Sequence, residues 1–267
     1  MALRLVNAPY AQPIDLAEAR LHVRQDITDD DPHILQGIVA VGEMAQVECQ
    51  RSLVAARWRL TLDQVPRGPI LLERGPVFNV VSIQYLDYGG VTQTWPSTEY
   101  VVDYTSLPAR ITPQFGKVWP NVLPQINSVA VVFEAGDAAP ITANATNDRI
   151  TIRGPWPTLI VGSTVRFSNS GGALPAPLAL DTDYFIQSVV SAGVYTLSAT
   201  SGGALLDLTG AGTGTSFIGE IPAGIKSWML LRLASLHENR EGETLTGRGS
   251  IVSLPYLDRL LDPYRVY

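Results

Sequence analysis

The chain has 267 residues, 46% of them apolar and only 16% charged, with a formal net charge of −6 and two lysines, Lys117 and Lys226. That balance excludes a protein that grips nucleic acid by neutralising phosphates with clustered cations. A single cysteine, Cys49, excludes an intramolecular disulfide framework, and the length allows two compact units of roughly 100–150 residues each.

Taken in chain order, Met1 to Ala11 lacks the basic start and apolar run of a signal peptide, and no stretch reaches the roughly 18 apolar residues of a membrane span. Synthesis in a cytoplasm without membrane insertion is expected. Asp15 and Glu18 have capping-box spacing, Glu18 reaching back to the cap, which predicts a short helix from Leu16 to about Arg24. Asp29, Asp30 and Asp31 put negative charge before Pro32, at the start of a long helix. Its apolar face carries Ile34, Leu35, Ile38, Val41 and Ala45, and the pattern runs to about Leu53.

From Trp58 the period changes to two, with Trp58, Leu60 and Leu62 alternating with Arg59, Thr61 and Asp63. Further strands are predicted over 70–72, 77–86, 100–104 and 129–133, which makes 58–135 a small antiparallel sheet unit. Ala135 to Pro140 reads as a linker and Gly219 to Pro222 as its counterpart. Between them, 141–219 holds only seven charged residues and short strand patterns with Gly-rich turns, the signature of a small sandwich or barrel. Without it, Phe133 to Gly136 would run directly into Ile221 to Ile225.

A last helix is predicted from Ile225 to Arg240, and an apolar tail, Ile251 to Tyr267, has the character of a docking segment. The fold class read from this order is α+β, organised as 1–140 (helices plus sheet), an inserted all-β domain over 141–219, and 220–267 (final helix and tail).

Reactive chemistry finds little support. His22, His33 and His237 are scattered, the Asp29–Asp31 run lacks the Gly and Glu of a calcium loop, and no nucleophile elbow is present. Gly210, Gly212 and Gly214 precede no Lys-bearing helix, so a phosphate loop is disfavoured. Asp181 and Asp183 sit in a turn-like segment. Tyr85, Tyr88, Trp95, Tyr100, Tyr104 and Trp119 offer material for a stacking platform, with sheet packing and subunit contact the simpler reading. No catalytic residue, metal ligand or cofactor is therefore expected.

The split frame resembles the phage head-to-tail connector (adaptor) family. The residues that carry this are Pro13 to Arg20 with His22-Val23-Arg24, Asp30-Asp31, Trp58 to Leu62, Pro76-Val77 with Val80 to Tyr85 and Asp87, Trp119-Pro120, Val131 to Gly136, Pro222 to Lys226, His237 to Glu241, and Leu260 to Arg265. The resemblance implies a helical connector core with an antiparallel β-rich extension, assembled as a homo-oligomeric ring, a dodecamer in that family, under the portal protein. Genomic DNA would pass through the channel unread, a stopper or tail-completion protein would dock below, and the location would be the virion.

On that reading Ile251, Leu254, Tyr256, Leu257, Leu260, Leu261, Tyr264 and Tyr267 would dock the portal, and Arg20, Arg24, Glu48, Arg232 and Glu238 would pack subunits. The insert has no place in the basic connector and is expected to project outward toward a protein partner. A carbohydrate- or receptor-binding module on a helical mount, a hydrolase with an unfamiliar site, and another neck component such as a stopper or terminator are the alternatives.

Overall fold

The computed structural model describes residues 1–239 and 258–265. Ile251, Leu254, Tyr256, Leu257 and Tyr267 lie outside the described residues.

Among the described residues, three α-helices form where the caps and apolar spacing predict them. Helix α1 (Leu16–Val23) starts at Asp15, whose carboxylate accepts the Ala17 N–H at 2.9 Å. Helix α2 (Asp31–Cys49) has Pro32 in its first turn. It stops short of Leu53 because Gln50 turns left-handed at φ 50°, with Arg51 N–H donating to the Gln46 carbonyl at 3.1 Å and Gln50 N–H to that of Val47 at 3.3 Å. This is a Schellman close. Helix α3 (Ala223–Glu238) lays Ile225, Trp228, Met229 and Leu233 against Ile34, Ile38 and Val41 of α2.

The first β unit contains β1 (Ala2–Asn7), β2 (Ala56–Leu62), β3 (Ile70–Leu72), β4 (Val77–Leu86), β5 (Thr92–Trp95), β6 (Tyr100–Asp103), β7 (Ala109–Pro113) and β8 (Val129–Ala135). A five-stranded sheet in the order β1-β2-β8-β4-β5 and a three-stranded sheet β3-β7-β6 share a core built on Leu60, Ile83, Ile111, Val131 and Phe133. Strands β1, β5 and β7 were not expected. β1 is an edge strand with most of its residues exposed, so its pairing with β2 leaves little hydrophobic pattern to read.

The β6–β7 connection is organised by Asp103, which accepts from Thr105 Oγ1 at 2.7 Å, Ser106 Oγ at 2.6 Å and Arg110 Nη2 at 2.6 Å. The Ser106 and Thr105 hydroxyls, then Arg110, hold its carboxyl well below the usual range. A depressed folded-state value means that this contribution is full above the unfolded aspartate value, about 3.9, and is lost as pH falls through the folded one. The Thr105 and Ser106 amides, which donate to Asp103, are expected to lose exchange protection in acid, and Asp103→Asn to remove that pH dependence; an unchanged acid profile in the variant would contradict this.

The second β unit contains β9 (Ala138–Asn144), β10 (Arg149–Ile152), β11 (Thr164–Val165), β12 (Phe167–Ser170), β13 (Tyr184–Ser191), β14 (Val194–Ser198) and β15 (Thr215–Gly219). Its order is β11-β13-β14-β10-β9-β15-β12. Only Arg166 separates β11 from β12, so the first and last members of the sheet are one run of chain. The sheet is therefore wrapped into a nearly closed barrel, filled by Ile150, Phe167, Ile186, Leu197 and Ile218. Among the described residues strand exceeds helix, 34% against 21%, so this part of the chain is β-rich with a helical layer.

The segment read as a linker is a strand junction. β8 ends at Ala135, β9 begins at Ala138, and Ala138 pairs with Gly219. Small residues here allow close crossing: 135–138 passes beside 52–55, with Ala55 N–H donating to Ala138 O at 2.7 Å and Asp137 N–H to Ser52 O at 3.1 Å. Next to it, Arg51 and Asp137 form a pair with only 12% and 8% of their side chains exposed.

The barrel does not simply project; it is keyed into the helical layer. Phe217 of β15 is buried in the helical core, and Ala55 in the barrel core. Asp15 N–H donates to Ser170 Oγ at 2.7 Å, and Ser170 donates in turn to the Glu18 carboxylate. Ser170 thus occupies the place in the capping box expected for Glu18. Glu18 turns instead to Lys226 of α3 at 2.8 Å, and Thr215 Oγ1 donates to Asp15 at 2.7 Å. Ser170 is 2% exposed, so Ser170→Ala leaves the Asp15 N–H unsatisfied and is expected to destabilise by about 1–3 kcal/mol. A chemical-denaturation midpoint equal to that of the native chain would contradict it.

Candidate assembly surfaces

The residues weighed for chemistry in the sequence are in structural positions. Among the described residues no group of three His, Cys, Asp or Glu is placed to hold a metal. His33 and His237 face each other with ring centroids 6.3 Å apart, and His22 is exposed on α1. Asp31 pairs with Arg20, and Asp183 with Arg166. Burial pushes the Cys49 thiol up to about 11, which keeps it protonated and inert. Trp95 packs on Tyr100 and Trp119 at centroid distances of 5.1 and 5.0 Å, and Trp95 and Tyr100 are buried. Tyr88 and Tyr104 are exposed apart from that cluster, so the six aromatic residues do not line one platform.

Three of the five residues expected at subunit seams have partners within the chain. Arg20 pairs with Asp31, Glu48 with Arg265 at 3.2 Å, and Arg232 lies over the Trp228 ring at 5.6 Å with Asp258 at 3.9 Å. Arg24 and Glu238 are exposed. Of the expected docking residues, Leu261 is fully buried in the helical core, and Leu260 and Tyr264 pack against that core. Two short 3₁₀ turns, Asp258–Leu260 and Asp262–Tyr264, carry them there. This part of the tail completes the chain's own core, and Leu261 has no free surface for a partner.

Two apolar surfaces were not read from the sequence. A groove of about 470 Å³ lies between the segment after β1, the outer face of α2 and the start of β2; Leu5, Pro9, Val39, Val47, Trp58 and Arg74 line it. Trp58 Nε1 donates to Ser52 at 3.3 Å and carries the Arg74 guanidinium over its ring at 5.4 Å. Burial lowers the pKa of Arg74. The second surface is the loop after β7, where Phe115 is 102% exposed, Val118 81% and Ile126 77%. The only sequence signal for it is an aromatic beside the turn glycine Gly116.

A helical layer joined to a two-sheet unit and a near-closed barrel is the fold that defines this chain. Neither a family model nor a curated protein matches it. Its fold is shared with chains of gene transfer agent (GTA) particles. One is from the virion of a native GTA particle, at 16% identity and TM-score 0.56. Others are from the neck of an empty GTA particle computed with C6 symmetry, at 15% and 0.58, and from the neck of a native particle computed with C12 symmetry, at 15% and 0.54. Each match covers 100% of this chain and 96% of the other. The barrel expected to stand outside the basic frame is therefore included in the likeness.

Proposed function

We propose that this protein is a structural neck component of a tailed-phage-like particle, a head-to-tail adaptor that forms a ring under the portal, lengthens the DNA channel and offers the tail its attachment site. The observation that carries this is the end-to-end likeness, barrel included, to chains from GTA particles and necks, one of which was computed with C12 symmetry. The resemblance read in the sequence supports the same assignment independently of the fold.

The physical features agree with it. A chain of net charge −6, with 25 acidic residues against 19 Lys and Arg, lets DNA slide instead of holding it. Portal docking is assigned to Ile251, Leu254, Tyr256, Leu257 and Tyr267, while Leu260, Leu261 and Tyr264 moor the end of that segment on the helical core. A stopper or tail-completion protein would dock on the opposite rim. Deleting the coding sequence in the source is expected to yield DNA-filled heads and separate tails, restored by expression in trans. Joined, infective or transfer-competent particles without the protein would overturn the proposal.

A further inference from the structure

Phe115 occupies a corner of a four-residue turn closed by Lys117 N–H donating to Gln114 O at 2.8 Å, with Gly116 at φ 76°. The left-handed glycine makes the turn possible and leaves the ring wholly in solvent. The loop is nonetheless firmly mounted: Trp119 packs on Trp95, Gln114 N–H donates to Glu99 O at 3.0 Å, and Lys117 reaches the Glu99 carboxylate at 3.0 Å. An exposed aromatic on a braced turn beside Val118 is a knob without a hole in its own chain.

The 470 Å³ groove is a hole without a knob. It opens at the β1 edge of the five-stranded sheet, whereas Trp95, which anchors the Phe115 loop, ends β5 at the other edge. Four strand spacings, about 19 Å, separate the edges, so the loop and the groove are distinct surfaces of the chain. The charges match as well. Glu43 stands exposed at the groove with no ion-pair partner among the described residues, and Lys117, next to the knob, is 48% exposed.

We infer that adjacent copies in the ring are joined head to tail, Phe115 of one entering the Leu5–Val39–Val47–Trp58 groove of the next while Lys117 approaches Glu43. The contact is heterologous, joining different surfaces of the two copies, which is the kind that closes into rings. It rests on the ring reading proposed above and supplies that ring's contact.

The test uses the full chain expressed in trans in a source that lacks its own copy. In purified particles the double variant Phe115→Cys, Val47→Cys is expected to give a ladder of disulfide-linked multimers on oxidation, and each single variant none. Cys49 is buried and does not compete. Incorporation of Phe115→Ser is expected to fall about tenfold or more at limiting concentration. Glu43→Lys, which sets like charge opposite Lys117 while leaving the Lys117–Glu99 mount of the loop intact, is expected to weaken incorporation as well, and unchanged incorporation would contradict the approach of Lys117 to Glu43. Neck rings containing the double-cysteine variant but yielding no ladder would overturn this contact and leave the neck assignment standing. Absence of the native chain from particles would overturn both.

Discussion

Gly136→Ala is expected to destabilise the protein by about 3 kcal/mol or more, lowering the melting temperature by roughly 6–12 °C. A Cβ at this position would stand 2.5 Å from the Ala55 nitrogen and 2.9 Å from the Val54 carbonyl carbon, and closer still to the Ala55 Cα. All three are backbone atoms, so no rotamer change relieves the overlap. The strands would have to separate, and separation breaks the bonds that cross there: Gly136 N–H to Pro76 O at 3.0 Å, Asp137 N–H to Ser52 O at 3.1 Å and Ala138 N–H to Leu53 O at 3.2 Å. The junction joins all three cores, since Val54 and Ala138 belong to the helical core, Ala55 and Ala139 to the barrel and Ala135 to the two-sheet unit. Thermal melting of the variant checks this, and a shift under about 2 °C would show that the crossing tolerates a side chain.

Asp137→Ala is expected to cost about 3–5 kcal/mol, because it strands a buried guanidinium. Arg51 and Asp137 are both largely enclosed, and the pair joins the residue after the α2 close to the residue before β9. Burial pushes the Asp137 carboxyl up, with the hydrogen bond and charge of Arg51 pulling the other way. The folded state therefore holds this proton more tightly than the unfolded chain does. That contribution is full below the unfolded aspartate value and is lost as pH rises through the folded one, the reverse of Asp103. The double replacement Arg51→Met, Asp137→Leu removes both charges and is expected to recover most of the loss. Denaturation midpoints of the singles and the double close the cycle; singles that cost under about 1 kcal/mol and simply add would mean that the pair does not organise the junction.

The helices and most of the central strands were legible because their signals are local: the Asp15 cap, Pro32 in the first turn of α2, the alternation from Trp58. What depends on partners distant in sequence was not. β1 forms because β2 offers an edge, and β9 forms from a small, apolar stretch whose strand character comes from pairing with β10 and β15. Glu18 had the spacing to complete its own helix cap, yet Ser170, 152 residues away, competes successfully for that role. Arg20, Glu48 and Arg232 were read as subunit-packing residues, and the intrachain partners the fold brings to them, Asp31, Arg265 and Asp258, were not legible. Phe115 and the groove beside Trp58 were illegible for the same reason, since exposure and concavity exist only once the sheets are assembled.

The most direct test of the neck assignment is gold-labelled antibody against this protein on purified source particles, viewed by electron microscopy, with mass spectrometry of the same preparation. The protein is expected in the particle, with label at the head-to-tail junction of particles opened at the neck. Its absence from intact and disrupted particles alike, or label confined to the capsid shell or the tail tip, would contradict it.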